Sequence, residues 1–105
     1  MVGKIDDQSF ESTVLESDTP VLVDFYATWC GPCQALAPSI EEISRDMEGR
    51  LKVVKVDVDE SPAAASEFGV TSIPTLVLFK GGQEVWRRVG SAPKRTLVDE
   101  LAKAV

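Results

Sequence analysis

Between residues 21 and 27 the chain runs Val21-Leu22-Val23-Asp24-Phe25-Tyr26-Ala27, short, apolar and rich in strand formers, with one charge among them. Past residue 33 the period changes. Leu36, Ile40, Ile43 and Met47 recur at helical spacing, with Glu41, Glu42, Arg45, Asp46 and Glu48 between them, which predicts a long helix ending near Gly49. Pro38 falls inside it, where the lost backbone bond is expected to bend the axis as an ordinary kink. Upstream, Val2 to Ile5 reads as a short strand. Asp6 or Asp7 is placed to cap a helix carrying Phe10, Val14 and Leu15 inward, and Ser17-Asp18-Thr19-Pro20 reads as a loop.

Downstream, Leu51 to Val58 reads as a strand, and Ser61-Pro62 opens a short helix from Ala63 to Phe68, stopped by Gly69. Thr75 to Phe79 is a strand, Lys80-Gly81-Gly82-Gln83 a turn, and Glu84 to Val89 an antiparallel return. Ser91 and Pro93 open a last helix with Leu97, Val98 and Leu101 inward. Strand and helix alternate first, and a hairpin plus helix closes the chain. This predicts an α/β sheet covered on both faces. There is no repeat, low-complexity segment or linker, so residues 1–105 are expected to form one domain.

The 105 residues are 44% hydrophobic, enough for one domain with its own core. Lys plus Arg number 11 and Asp plus Glu 17, a net charge of −6. An acidic chain without a basic run argues against nucleic-acid binding. No apolar run approaches the roughly 18 residues of a membrane span, and Met1-Val2-Gly3-Lys4 leads into no signal-peptide core. A cytoplasmic location and no membrane partner are the expectation.

The chemistry lies where the strand turns into the helix, at Trp29-Cys30-Gly31-Pro32-Cys33. With two cysteines and no histidine, a zinc site within one chain lacks its four ligands. Haem attachment lacks a His after the second Cys, since Gln34 stands there. A purely structural disulfide closing about four residues would contribute only roughly 2 kcal/mol. A redox-active dithiol is the remaining reading. Positions three apart share a helix face, Pro32 suits a first helical turn, and Gly31 has no side chain to block a partner sulfur. Cys30 is expected to be the exposed member and Cys33 the covered one. The helix N-terminus offers free N–H groups and partial positive charge to a thiolate, but the dipole contributes only about 0.3–1 kcal/mol, so specific hydrogen bonds are needed too. Asp24 admits two readings: a strand-edge polar residue satisfied by water, or a buried carboxyl behind the cysteines with a raised pKa.

Trp-Cys-Gly-Pro-Cys after an apolar Val-Asp-Phe strand, followed by Ile73-Pro74-Thr75 and Gly90, resembles the thioredoxin family in order from about Ile5 to Leu101. The resemblance implies the thioredoxin fold, a central mixed sheet of about five strands flanked by four helices. It also implies a thiol-disulfide oxidoreductase that reduces protein disulfides: Cys30 the nucleophile, Cys33 the resolving thiol, Gly31 and Pro32 between them, and a redox-active Cys30–Cys33 disulfide in place of a bound cofactor or metal. Asp24 takes the role of proton acceptor and donor, and Lys55 that of a modulator of Asp24. Trp29, Ile73, Pro74 (in a cis peptide) and Gly90 form the surface that receives a substrate. Trp86, on the hairpin, is given no site role. Implied partners are disulfide-containing clients and a thioredoxin reductase, linked to NADPH or to ferredoxin, acting on a monomer. Tyr26, Gln34, Ser72 and Ser91 depart from the commonest family pattern. Two alternatives stay open: a disulfide oxidase or isomerase of the same fold, and a binding subunit whose role is independent of thiol state.

Overall fold

The computed structural model describes residues 2–105; Met1, the start of the segment read for a signal peptide, lies outside the described residues. Five strands form one sheet in the order β1-β3-β2-β4-β5: β1 (Gly3–Ile5), β2 (Val21–Tyr26), β3 (Lys52–Asp57), β4 (Thr75–Lys80) and β5 (Gln83–Val89). β1 and β2 run parallel to β3, β4 is antiparallel to β2, and β5 is antiparallel to β4. The mixed sheet follows from the connections. β2 and β3 are joined through a helix, as a parallel pair requires, whereas a tight turn suffices for β4 and β5.

The helices are α1 (Asp7–Phe10, continued by a π-helical turn over Glu11–Leu15), α2 (Gly31–Asp46), α3 (Pro62–Glu67) and α4 (Lys94–Ala104). Strand alternation sorts the core into two layers. Leu22, Leu76 and Leu78 pack with Leu36, Ile40 and Ile43 of α2 and with Leu97 and Leu101 of α4. Val21, Val23, Phe25, Val77 and Phe79 face the other way, onto Phe10, Val14, Ala64 and Ala65. Asp24 falls in the Leu22 alternation, so its side chain is delivered to the α2 side.

Several boundaries differ from the sequence reading. α2 ends at Asp46 rather than near Gly49, because the Arg50 and Leu51 amides both donate to the Met47 carbonyl (3.0 and 2.9 Å), and Gly49 at φ +88° carries the turn. Pro38 is accommodated within one continuous helix. Asp6 caps α1 through a reciprocal pair with Ser9. Ser61 precedes α3 without donating or accepting a side-chain cap bond. Asp7 supplies that cap from a distance, its carboxylate accepting from the Ala63 and Ala64 amides at 3.0 Å each. Ser91 does not open α4; Pro93 holds the N-cap position in extended backbone.

Candidate active site

β2 ends at Tyr26 and α2 begins at Gly31, and the four residues between bring the first cysteine onto the helix tip. Cys30 is the N-cap residue of α2, with extended backbone (φ −83°, ψ 109°) and Pro32 in the first turn. Its carbonyl receives the Gln34 amide at 3.1 Å, and its Sγ accepts the Cys33 amide at 3.2 Å. Cys30 and Cys33 are joined as a disulfide with Cα atoms 5.2 Å apart. Three residues of helix supply this spacing without unwinding the first turn. A Cβ built on Gly31 meets nothing within 4 Å, so the turn between the cysteines is open at that residue.

The expected contrast in exposure between the sulfurs is corrected by the structure. Cys30 and Cys33 are each only 4% exposed. The disulfide is packed with Ala27 and bordered by Tyr26, Val58 and Ile73, which cover both sulfurs. Ile73 is thus brought against the disulfide. The Ile73–Pro74 peptide is cis, and the Pro74 carbonyl accepts the Gly90 amide at 2.8 Å, so these two rim positions are tied together. Trp29 is 70% exposed. With Val58, Val70, Thr71, Ser72 and Ile73 it lines a mostly apolar groove of about 190 Å³ beside the cysteines. Trp86 instead packs against the core and donates its indole N–H to Glu100 at 3.1 Å.

Behind the disulfide, Asp24 is 6% exposed, and its Oδ1 is the one buried side-chain polar atom without a hydrogen-bond partner among the described residues. Burial pushes its pKa up to about 6, against a smaller downward pull from the Lys55 ammonium. Of the two opposed effects that the sequence leaves unresolved, desolvation is the larger. Lys55 stands opposite Asp24 in the parallel β2–β3 pair, its ammonium 5.5 Å above the Tyr26 ring centroid. A small cavity of about 140 Å³ touches Asp24, Lys55 and Cys33 together.

Three contributors were not evident in the sequence. Asp59 accepts the Trp29 indole N–H at 2.7 Å. The buried Asp57 carboxylate holds the Asp59 and Glu60 amides (2.9 and 3.3 Å), and so the loop that carries this contact. The Gln34 side chain donates to the Thr28 carbonyl at 2.6 Å. The signal for the first two was the parallel pairing of β3 with β2, which delivers residues 57–60 beside the turn after β2; their spacing along the chain does not reveal it.

The thioredoxin family model matches residues 1–103. The chain belongs to the thioredoxin family. It is 54% identical to Thioredoxin 1 of Nostoc sp. over 101 residues, covering 96% of this chain and 94% of that one. It is 54% identical to the thioredoxin of Synechocystis sp. over 100 residues, covering 95% and 94%. It is 48% identical to the thioredoxin of Rickettsia felis over 105 residues, the full length of both. As a thioredoxin-family thiol-disulfide oxidoreductase it reduces protein disulfides by dithiol-disulfide exchange through Cys30-Gly31-Pro32-Cys33. The redox-active disulfide is the centre, and the family works without a bound cofactor. Among the described residues no cluster of three His, Cys, Asp or Glu side chains is placed to hold a metal. Its partners as a class are a reductase and disulfide-bearing clients, and no described helix is long and apolar enough to cross a membrane.

Proposed function

We propose the following division of labour among the site residues, within residues 1–105 acting as one domain. In the reduced protein the Cys30 thiolate attacks one sulfur of a client disulfide. An S–S bond forms to the client, and the client's other sulfur leaves as a thiolate that takes up a proton. Asp24 removes the Cys33 thiol proton, directly or through water in the cavity they share. The Cys33 thiolate then attacks Cys30 Sγ, forming the Cys30–Cys33 disulfide and releasing the second client sulfur. Two electrons have passed to the client, and a separate reductase linked to NADPH or ferredoxin returns them. Lys55 keeps Asp24 from becoming too weak an acid to cycle. Gly31 and Pro32 leave the disulfide approachable. Trp29, Ile73, Pro74 and Gly90 receive an extended client segment, with the groove between Trp29 and Ile73 taking an apolar side chain. We assign the protein to the cytoplasm as a monomer without nucleic-acid or membrane partners.

The observation that carries this reading is the Cys30 sulfur at the helix tip, accepting the Cys33 amide, with the second sulfur in bonding contact. The test is reduction of insulin disulfides with dithiothreitol as electron source. Cys33→Ser is expected to abolish turnover and accumulate mixed disulfides. Asp24→Asn is expected to slow the Cys33 step by about a hundredfold, the low end for a positioned base. Parent-like turnover by Cys33→Ser would overturn the two-sulfur assignment. Rates of Asp24→Asn matching the parent from about pH 6 to 9 would overturn the proton role.

A further inference from the structure

Asp24 is enclosed by the sheet on two sides. In β3 its partner is Lys55, and in β4 it is the fully buried Leu76. The remaining side is the cavity of about 140 Å³, which reaches from Asp24 past Cys33 to Thr28 and Gln34. Those last two residues are joined to each other. The Gln34 side-chain amide, from the first turn of α2, donates at 2.6 Å to the Thr28 carbonyl in the loop after β2. Helix and loop are therefore stitched together by the exposed residues of a cavity whose buried lining includes Asp24 and Cys33. The stitch is a neutral donor. A lysine or arginine there would bring a second cation toward Asp24 beside Lys55, favouring the carboxylate and weakening it as a base.

We propose that Gln34 is a positioning residue for the proton step: its hydrogen bond to the Thr28 carbonyl latches the mouth of the Asp24 cavity, limiting water entry so that the carboxyl behind Cys33 remains desolvated and basic. The proposal rests on the proton role assigned to Asp24 above. Desolvation is the larger influence on Asp24, so an opened mouth acts on the dominant cause. The groups that face Asp24 are Lys55 from β3, Tyr26 from its own strand and Cys33 from α2; β4 presents Leu76, which does not titrate. Tyr26 is itself raised by burial, with Lys4 opposing. Gln34 carries no charge, so its removal changes solvation without altering that charge set.

The test is Gln34→Ala in the full chain. Residue 34 is exposed and Ala is a good helix former, so the fold should be retained; a parent-like thermal transition checks this. Titration of the Asp24 carboxyl carbon by NMR in the oxidised protein is expected to give a midpoint lower by about 0.5–1 pH unit, as water entry stabilises the charged form. Insulin reduction should slow several-fold, and Gln34→Ala should add nothing in an Asp24→Asn background, because the two act through one group. An unchanged Asp24 midpoint, or equal slowing with and without the Asp24 carboxyl, would overturn the latch. Parent-like rates of Asp24→Asn would overturn the proton role instead, and the Asp24 midpoint in Gln34→Ala would still decide whether the latch controls solvation.

Discussion

Asp24 sits where stability and proton chemistry oppose each other. Its carboxyl is pushed up to about 6 in the folded chain, from 3.8 in an unfolded one. The folded state therefore holds the proton more tightly. Below about pH 3.8 both states are protonated and the residue costs nothing through ionisation. Between that value and about 6 the unfolded chain ionises while the folded one keeps its proton, so the fold loses stability progressively, and the full cost stands once pH has passed the folded value. The difference of about two pH units corresponds to roughly 3 kcal/mol. Asp24→Asn removes this linkage. Relative to the parent, its unfolding free energy should therefore improve by up to about 3 kcal/mol between about pH 4 and pH 8, whatever constant offset the amide introduces. Urea unfolding at both pH values checks this, and a pH-independent difference would mean that Asp24 is not desolvated in solution. A group kept at such a cost near neutrality fits a role in catalysis better than one in stability.

At the scale of elements, the active-site turn is held by parts distant in sequence. α3 is a six-residue helix, too short to persist alone. Its first amides are satisfied by Asp7, at a separation of 56 and 57 residues. That cap ties α1 to α3 on the face of the sheet opposite α2. Asp7→Ala is expected to lower stability by about 1 kcal/mol, measured as a shift in the urea midpoint with unchanged slope. Trp29 has the same dependence on a distant segment, since its indole is oriented by Asp59 and the Asp59 loop by Asp57. A turn at Gly49 and a cap at Asp6 or Asp7 were readable locally, although α2 itself stops at Asp46. The Asp7 cap and the Trp29 clamp were not, because each partner is supplied by another element.

For the molecule as a whole, the sheet divides two apolar layers, and the redox turn packs as a third small cluster of Ala27, Cys30 and Cys33. Leu101 is fully buried on α4, packed in the layer that includes Leu36, Ile40 and Ile43 of α2. Leu101→Ala is expected to lose about 2–5 kcal/mol, seen as a lower melting temperature. Its insulin-reducing activity below the transition should stay near the parent's, because α4 contributes no group to the exchange.

Local order along the chain determined the dithiol and its setting. A buried strand followed by Trp-Cys-Gly-Pro-Cys and a helical apolar stripe places two sulfurs one turn apart at a helix tip, since that outcome depends only on backbone geometry and residue spacing. Helical spacing also announced which helix residues face inward, Leu97 and Leu101 among them, and the α/β class followed from the order of elements. Tertiary structure decided what surrounds the sulfurs. Pairing of β2 with β3 and β4 converted Asp24 from an odd polar residue into a desolvated one, covered both cysteines, and brought Asp59 to Trp29. Those contacts depend on strand order and register, which arise from competition among all the apolar faces at once and are not written in any single stretch of residues.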